Sequence, residues 1–271
     1  MKESIILIKE YNCGYFGKGG FKMKYSFEII TDSTANLPEE IIDQFGIHIL
    51  GLSFFVDEKE YEGYIKGEAV DLKQFYTMMR DKKEITTSLA NSQKAFDMAE
   101  ALLKQDKDIL YIGFSSGLSS TYQAVCSALN ELRDEYPNRK ILYVDSLAAA
   151  LGEGLFVRYV IDKREEGLTI EECYDWAENN KINICHAFTV DDLFFLKRGG
   201  RVSGATAVVG TVLNVKPVLH VDDEGHLIPQ GKVRGRRKSL DALITKMEET
   251  IVNPDGQRIY ISHGDCLEDA E

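Results

Sequence analysis

The sequence predicts an α/β fold in two domains: a mostly parallel sheet flanked by helices, followed by a smaller α/β domain with antiparallel strands. Two observations carry this. From Tyr25 onward short apolar runs alternate with amphipathic stretches, beginning with Phe27-Glu-Ile-Ile30 and a helix opened by Pro38, the pattern of strand–helix units with parallel strands. Past about Asn183 a hairpin appears instead, with Val215 to Val221, the turn Asp222-Asp-Glu-Gly225, and His226 to Ile228. The expected boundaries are a disordered or wrongly assigned extension over 1–24, an N-terminal α/β domain over 25–182, and a C-terminal α/β domain over 183–271.

Taken in order, the first unit is the strand at Phe27 and a helix from Pro38 to Phe45, with Ser33 or Asn36 as its expected cap. A strand over Ile47–Leu52 and helices over Asp71–Met79 and Gln93–Lys104 follow. A buried strand at Ile109–Ile112 leads to a helix over Thr121–Glu135, capped by Ser119 or Ser120. Next come a strand over Ile141–Val144, helices over Leu151–Arg164 and Ile170–Asn179, and a strand over Ile182–Thr189. Val190-Asp-Asp-Leu193 begins a helical turn, Lys197–Arg201 is a Gly-rich basic loop, and Ile259–Ser262 is a final strand. Asp32-Ser33, Ser115-Ser116 and Asp145-Ser146 each follow a strand, and ligands in open α/β sheets bind beyond such ends.

Composition narrows the possible functions. With 271 residues, 44% of them hydrophobic, the chain can bury a sizeable core. Its net charge of −12 argues against nucleic acid as a partner. The nearly apolar stretch from Ala205 to Val215 falls short of the ~20 residues a membrane span needs. Five cysteines are scattered without metal-ligand or C-x-x-C spacing, and no H-E-x-x-H motif accompanies the five histidines, so neither a metal nor a cofactor is expected. A cytoplasmic location with reduced thiols is the expectation. Ile5–Ile8 is too short for a signal-peptide core, and Gly17-Lys18-Gly19-Gly20 lacks the Ser or Thr of a P-loop. Lys18 to Met23 has the character of a translated ribosome-binding site, which would put the true start at Met23.

The most informative segment is Asp108 to Cys126, where an apolar strand enters a hydroxyl-crowded turn and then a helix. Unpaired N–H groups and the positive end of the macrodipole at such a helix start favour a phosphate or carboxylate. The same residues, Gly113-Phe-Ser-Ser-Gly117, also match the G-x-S-x-G elbow of α/β-hydrolases, with Ser115 as nucleophile and His186, His220, His226 and His263 downstream. None of these histidines has a recognisable context, and no His-Gly-Gly-Gly segment precedes the elbow. The plain alternative is that Ser115 and Ser119 serve as turn and cap residues.

Several stretches together resemble the DegV family of fatty-acid-binding proteins: Ile30-Thr-Asp-Ser-Thr34 with Leu37-Pro38, Thr87-Ser88, Ser115 to Tyr122, Val144-Asp-Ser146, Leu196-Lys-Arg-Gly-Gly-Arg201, and Leu213-Asn-Val-Lys-Pro217. The resemblance runs from Tyr25 to the end. It implies a protein without catalysis of its own that holds a long-chain fatty acid, its tail in an apolar tunnel and its carboxylate on hydroxyls at Thr87, Ser88 and Ser119, with Ser115 also among the fatty-acid-binding residues. It further implies a fatty acid kinase partner that makes an acyl phosphate, with Arg201 facing the phosphate. The later run Arg234, Arg236, Arg237, Lys238 is expected to form ordinary surface pairs. Ser120 stands where the family usually has Gly, and Leu89-Ala90-Asn91 replaces Gln-Pro-Ser. Members usually continue past Ser262 into a helix and a Gly-rich segment carrying a His near the carboxylate, so ending at Glu271 implies a truncated form.

Overall fold

The computed structural model describes residues 5–6, 25–67, 71–191, 193, 196–197, 199–202 and 214–271. In chain order these form β1 (Ile5–Ile6), β2 (Phe27–Asp32), α1 (Glu39–Phe45), β3 (His48–Leu50), β4 (Ser53–Val56), β5 (Lys59–Glu62), α2 (Leu72–Arg80), β6 (Ile85–Thr87), α3 (Ser92–Leu103) and β7 (Asp108–Gly113). There follow α4 (Thr121–Glu135), β8 (Ile141–Asp145), α5 (Leu151–Glu165), α6 (Ile170–Asn180), β9 (Phe188–Thr189), β10 (Val215–Val221), β11 (Leu227–Arg234), α7 (Arg236–Thr250), β12 (Ser262–His263) and α8 (Leu267–Ala270).

The expected α/β architecture is present. Four parallel strands run in the order β3-β2-β7-β8, with Ile30 opposite His48, Phe27 opposite Asp108, and Gly113 opposite Asp145. Alternate strand residues point to opposite faces, so both faces must be covered. Ile30, Ile109 and Tyr111 pack under α3 and α4 with Ala95, Val125 and Leu129. Phe27, Ile29, Leu110 and Ile112 pack under α1, α5 and α6 with Ile42, Phe156, Val160 and Cys173. A second sheet is antiparallel, in the order β11-β10-β9-β1-β12. Of the expected extension, Ile5–Ile6 lies between β9 and β12. The rest of 1–24, Arg198, Asp192 and the stretch 203–213 with Leu213 lie outside the described residues.

The structure corrects several local expectations. Pro38 is the N-cap of α1 without a side-chain bond, because Ser33 Oγ instead accepts Leu52 N–H at 3.0 Å and Asn36 ends a 3₁₀ turn at φ 51°. Ser120 caps α4 by position but with no side-chain bond. The strand expected over Ile182–Thr189 shrinks to β9, since 181–183 continue α6 as a 3₁₀ turn and carry Ile184 into the apolar layer of α5 and α6. Ile259–Tyr260 likewise stay outside the sheet, and the strand there is β12. A three-stranded antiparallel sheet, β5-β4-β6, was not foreseen, nor was α7.

Candidate functional site

The loop from Gly113 to Thr121, at the carboxyl end of β7, is braced from both neighbouring strands. Asp32 Oδ2, at the end of β2, accepts Phe114 N–H at 3.0 Å, and Asp145 Oδ1, at the end of β8, accepts Ser116 N–H at 3.2 Å and Leu147 N–H at 3.1 Å. Ser115 N–H goes to Ala148 O, Leu118 and Ser119 N–H go to Ser115 O, and Gly117 N–H goes to Ser115 Oγ. These donors are thus spent within the protein. At the start of α4 itself, Thr121 N–H goes to Ser119 Oγ.

Ser119 and Thr121 form a hydroxyl pair. Ser119 Oγ lies 3.0 Å from Thr121 Oγ1 and accepts Thr121 N–H at 3.2 Å, while Thr121 Oγ1 accepts Ala90 N–H at 3.2 Å. Two hydroxyls carry two protons, and one closes their mutual bond. Ser119 Oγ is the donor in that bond, so the proton left over is that of the fully buried Thr121, while the Ser119 oxygen stays partly exposed.

The Ala90 contact also brings in the Thr87-Ser88 segment. Thr87 ends β6, exposed and paired with Phe54, and Ser88 gives both its N–H (3.0 Å) and its hydroxyl (3.3 Å) to Ser53 O. Arg201 reaches the same loop, its Nε donating to Leu118 O at 3.2 Å and an Nη donating to Gly199 O.

Ser115 plays a different part. A nucleophile elbow must expose its hydroxyl to a base, but Ser115 is fully buried and donates to Gly225 O at 2.8 Å. Gly225 stands at φ +79° in the β10–β11 turn, where a Cβ would lie 2.0 Å from Ser115 Oγ, and a Cβ on Gly117 would lie 2.7 Å from Glu224 O. Ser115 thus fastens the tip of the second sheet's hairpin onto the loop, with Leu118 and Phe114 packed beside Phe188, Leu219 and Leu227.

Sequence reasoning missed Glu153. It is fully buried on α5, and its Oε2 lies 2.6 Å from Thr34 Oγ1, which also bonds Asp32 Oδ1. Thr31 Oγ1 donates to Glu153 Oε1 at 3.3 Å. Its signal was an acid between two glycines in an apolar helix start: a Cβ on Gly152 would meet His186 Nε2 at 1.9 Å, and one on Gly154 would meet Ala35 O at 2.3 Å. Burial pushes the carboxyls of both Asp32 and Glu153 up, Glu153 strongly, with Asp32's charge adding to the rise.

Asp32 also lines a cavity of about 760 Å³ together with Ser33, Ile42, Ile49, Leu72 and Leu151. Its volume is in the ordinary range for small-molecule sites.

A family model described as an uncharacterised protein family, DegV, matches residues 26–271. The chain belongs to the DegV family. A DegV domain-containing protein of Clostridium perfringens is 44% identical over 245 residues, 90% of this chain and 84% of that protein. One from Lactococcus lactis is 38% identical over 224 residues, covering 83% and 77%. Among solved structures, the fatty acid binding DegV protein from Bacillus subtilis is similar at TM-score 0.69 and 29% identity, covering 83% of this chain and 78% of that one. A DegV family protein from Thermus thermophilus, described by its fatty acid binding, is similar at TM-score 0.72 and 29% identity, covering 83% and 77%. Among the described residues of this DegV chain no helix is long and apolar enough to cross a membrane.

Proposed function

We propose that this protein binds a long-chain fatty acid, with the carboxylate at the Ser119–Thr121 hydroxyl pair and the Thr87-Ser88 segment. The observation that carries this reading is the partly exposed Ser119–Thr121 hydroxyl pair, on a loop braced by Asp32 and Asp145. The fatty acid binding of the DegV relatives from Bacillus subtilis and Thermus thermophilus supports it. The tail enters the cavity beyond Asp32 and Ser33, because Asp32 both forms part of its wall and holds Phe114 at the head of the loop. Burying a long acyl tail at ~0.8 kcal/mol per CH₂ contributes on the order of 10 kcal/mol, whereas each hydrogen bond to the charged head adds ~1.5–3 kcal/mol. The tail therefore sets affinity and the hydroxyls set orientation.

Residues 25–182 and 183–271 act as the two domains, joined across the loop by the Ser115–Gly225 bond. The protein is a cytoplasmic carrier without catalysis of its own, and it offers the bound acid to a kinase that makes the acyl phosphate. Arg201, anchored beside Ser119, is the charge that faces the transferring phosphoryl group. Organic extraction of the purified protein followed by mass spectrometry tests the binding. An acyl species, or saturable uptake of added palmitate or oleate, is the expected result, and absence of both overturns the reading.

A further inference from the structure

The buried carboxyls of Asp32 and Glu153 meet at one hydroxyl, and counting protons there has a consequence. Thr34 Oγ1 carries a single proton yet lies within hydrogen-bond distance of Asp32 Oδ1 and of Glu153 Oε2, the latter at 2.6 Å. It can donate to one and must accept from the other, so one of the two carboxyls carries a proton. Their surroundings decide which. Asp32 accepts two backbone N–H groups, Thr34 at 3.0 Å and Phe114 at 3.0 Å, with Tyr111 OH at 3.5 Å, which together support a negative charge. Glu153 has only the Thr31 hydroxyl at 3.3 Å on its other oxygen.

We propose that Glu153 keeps its proton at neutral pH and, by donating through Thr34 to a charged Asp32, positions the Phe114–Ser119 loop. The relay runs from Glu153 Oε2–H to Thr34 Oγ1, and from the Thr34 proton to Asp32 Oδ1, leaving Oδ2 for Phe114 N–H. Charged groups facing the pair from the neighbouring elements do not favour a second anion. Asp145 at the end of β8 is acidic and adds to the rise of Glu153, and Tyr111 on β7 is neutral. His186, packed against Gly152 and bonded to Ala149 N–H, is neutral because burial holds it down at about 4.

The test combines three readouts on the full chain. Infrared difference spectra at neutral pH are expected to contain the carbonyl stretch of a protonated carboxylic acid, lost in Glu153→Gln and shifted in Thr34→Val. A wild-type protein without that band overturns the proposal whether or not either variant folds. Second, wild-type stability measured relative to Glu153→Gln is expected to fall as pH rises above about 4.5, the ordinary glutamate value, because the folded protein then holds a proton that the unfolded chain releases. The loss approaches about tenfold in the folding equilibrium constant per pH unit, and a flat or rising difference contradicts a retained proton. Third, Glu153→Gln, whose amide still donates to Thr34, keeps the Phe114 amide protected from hydrogen exchange. Thr34→Val speeds that exchange by about tenfold, roughly one hydrogen bond; equal protection in both overturns the positioning role. None of these readouts uses a lipid, so failure of fatty acid binding is distinguished from failure of the proton assignment.

Discussion

Ser119 and Thr121 divide two jobs that a sequence cannot separate. Ser119→Ala removes the partly exposed hydroxyl that the proposal assigns to the carboxylate and leaves the Ala90 contact, so fatty acid affinity should drop by ~1–3 kcal/mol with the denaturation midpoint little changed. Thr121→Ala strands the buried Ala90 N–H as well, and both stability and affinity should fall, by ~1–3 kcal/mol each. Calorimetric titration with palmitate beside a urea melt distinguishes the two. Unchanged affinity in Ser119→Ala would put the carboxylate elsewhere. Ser115→Ala should lose ~0.5–1.5 kcal/mol of stability through the Gly225 bond, and wild-type Ser115 should stay unlabelled by a fluorophosphonate probe. Ser115 and Ser119 were legible as turn and cap residues because small polar residues after the apolar run of β7 mark a turn, whereas Thr87, at the end of the unforeseen β6, entered only through the family resemblance. Glu153 was not legible, since its partners Thr31 and Thr34 lie more than a hundred positions away and only the folded sheet brings them under α5.

Among the elements, those with a regular apolar period emerged from the sequence: β7 and α4 occupy their expected positions because Ile109, Leu110 and Ile112 are buried on both faces and Val125, Leu129 and Leu132 repeat at helical spacing. The β4–β5 hairpin did not emerge. Its turn residues are Asp57 and Glu58, at φ 48° and 69°, where glycine or asparagine is the usual sign of a two-residue turn. Helix α7 was hidden too, because only Ser239 and Leu243 are buried along it and its basic start, with Arg237 paired to Asp241, has the look of an exposed charge run. The β10–β11 hairpin was legible from Asp222 to Gly225, although its docking on Ser115 was not. Gly225→Ala tests that docking. A left-handed alanine costs ~1–3 kcal/mol, and its methyl would overlap Ser115 Oγ, so stability should fall further than in Ser115→Ala. A melt in which Gly225→Ala matches wild type would show that the tip is not seated there.

For the molecule as a whole, folding suppresses the ionisation of buried groups. His186 is buried, with Nε2 on Ala149 N–H and Nδ1 on Ile184 O, and burial pushes it down to about 4. Between about pH 6.5 and 4 the unfolded chain takes up a proton that the folded protein refuses, so stability is lost as pH falls through that window, by up to roughly 3 kcal/mol. The effect is read as the difference between wild type and His186→Gln, because Glu153 contributes the opposite slope above about 4.5. A difference independent of pH would refute it. Arg201 belongs to the same scale, since it lies outside the strands and donates to Leu118 O of the loop. In a chain of net charge −12, an always-charged guanidinium beside the proposed carboxylate position, with Gly199 and Gly200 preceding it, suits the proposed approach of a phosphoryl donor. Arg201→Ala should therefore bind palmitate with wild-type affinity while kinase-dependent acyl phosphate formation falls by ten- to a hundredfold, the loss of about 1.4–2.8 kcal/mol from that step. If Arg201 only tethers the loop, the variant instead loses lipid affinity in parallel with turnover, and normal acyl phosphate production by the folded variant ends the assignment.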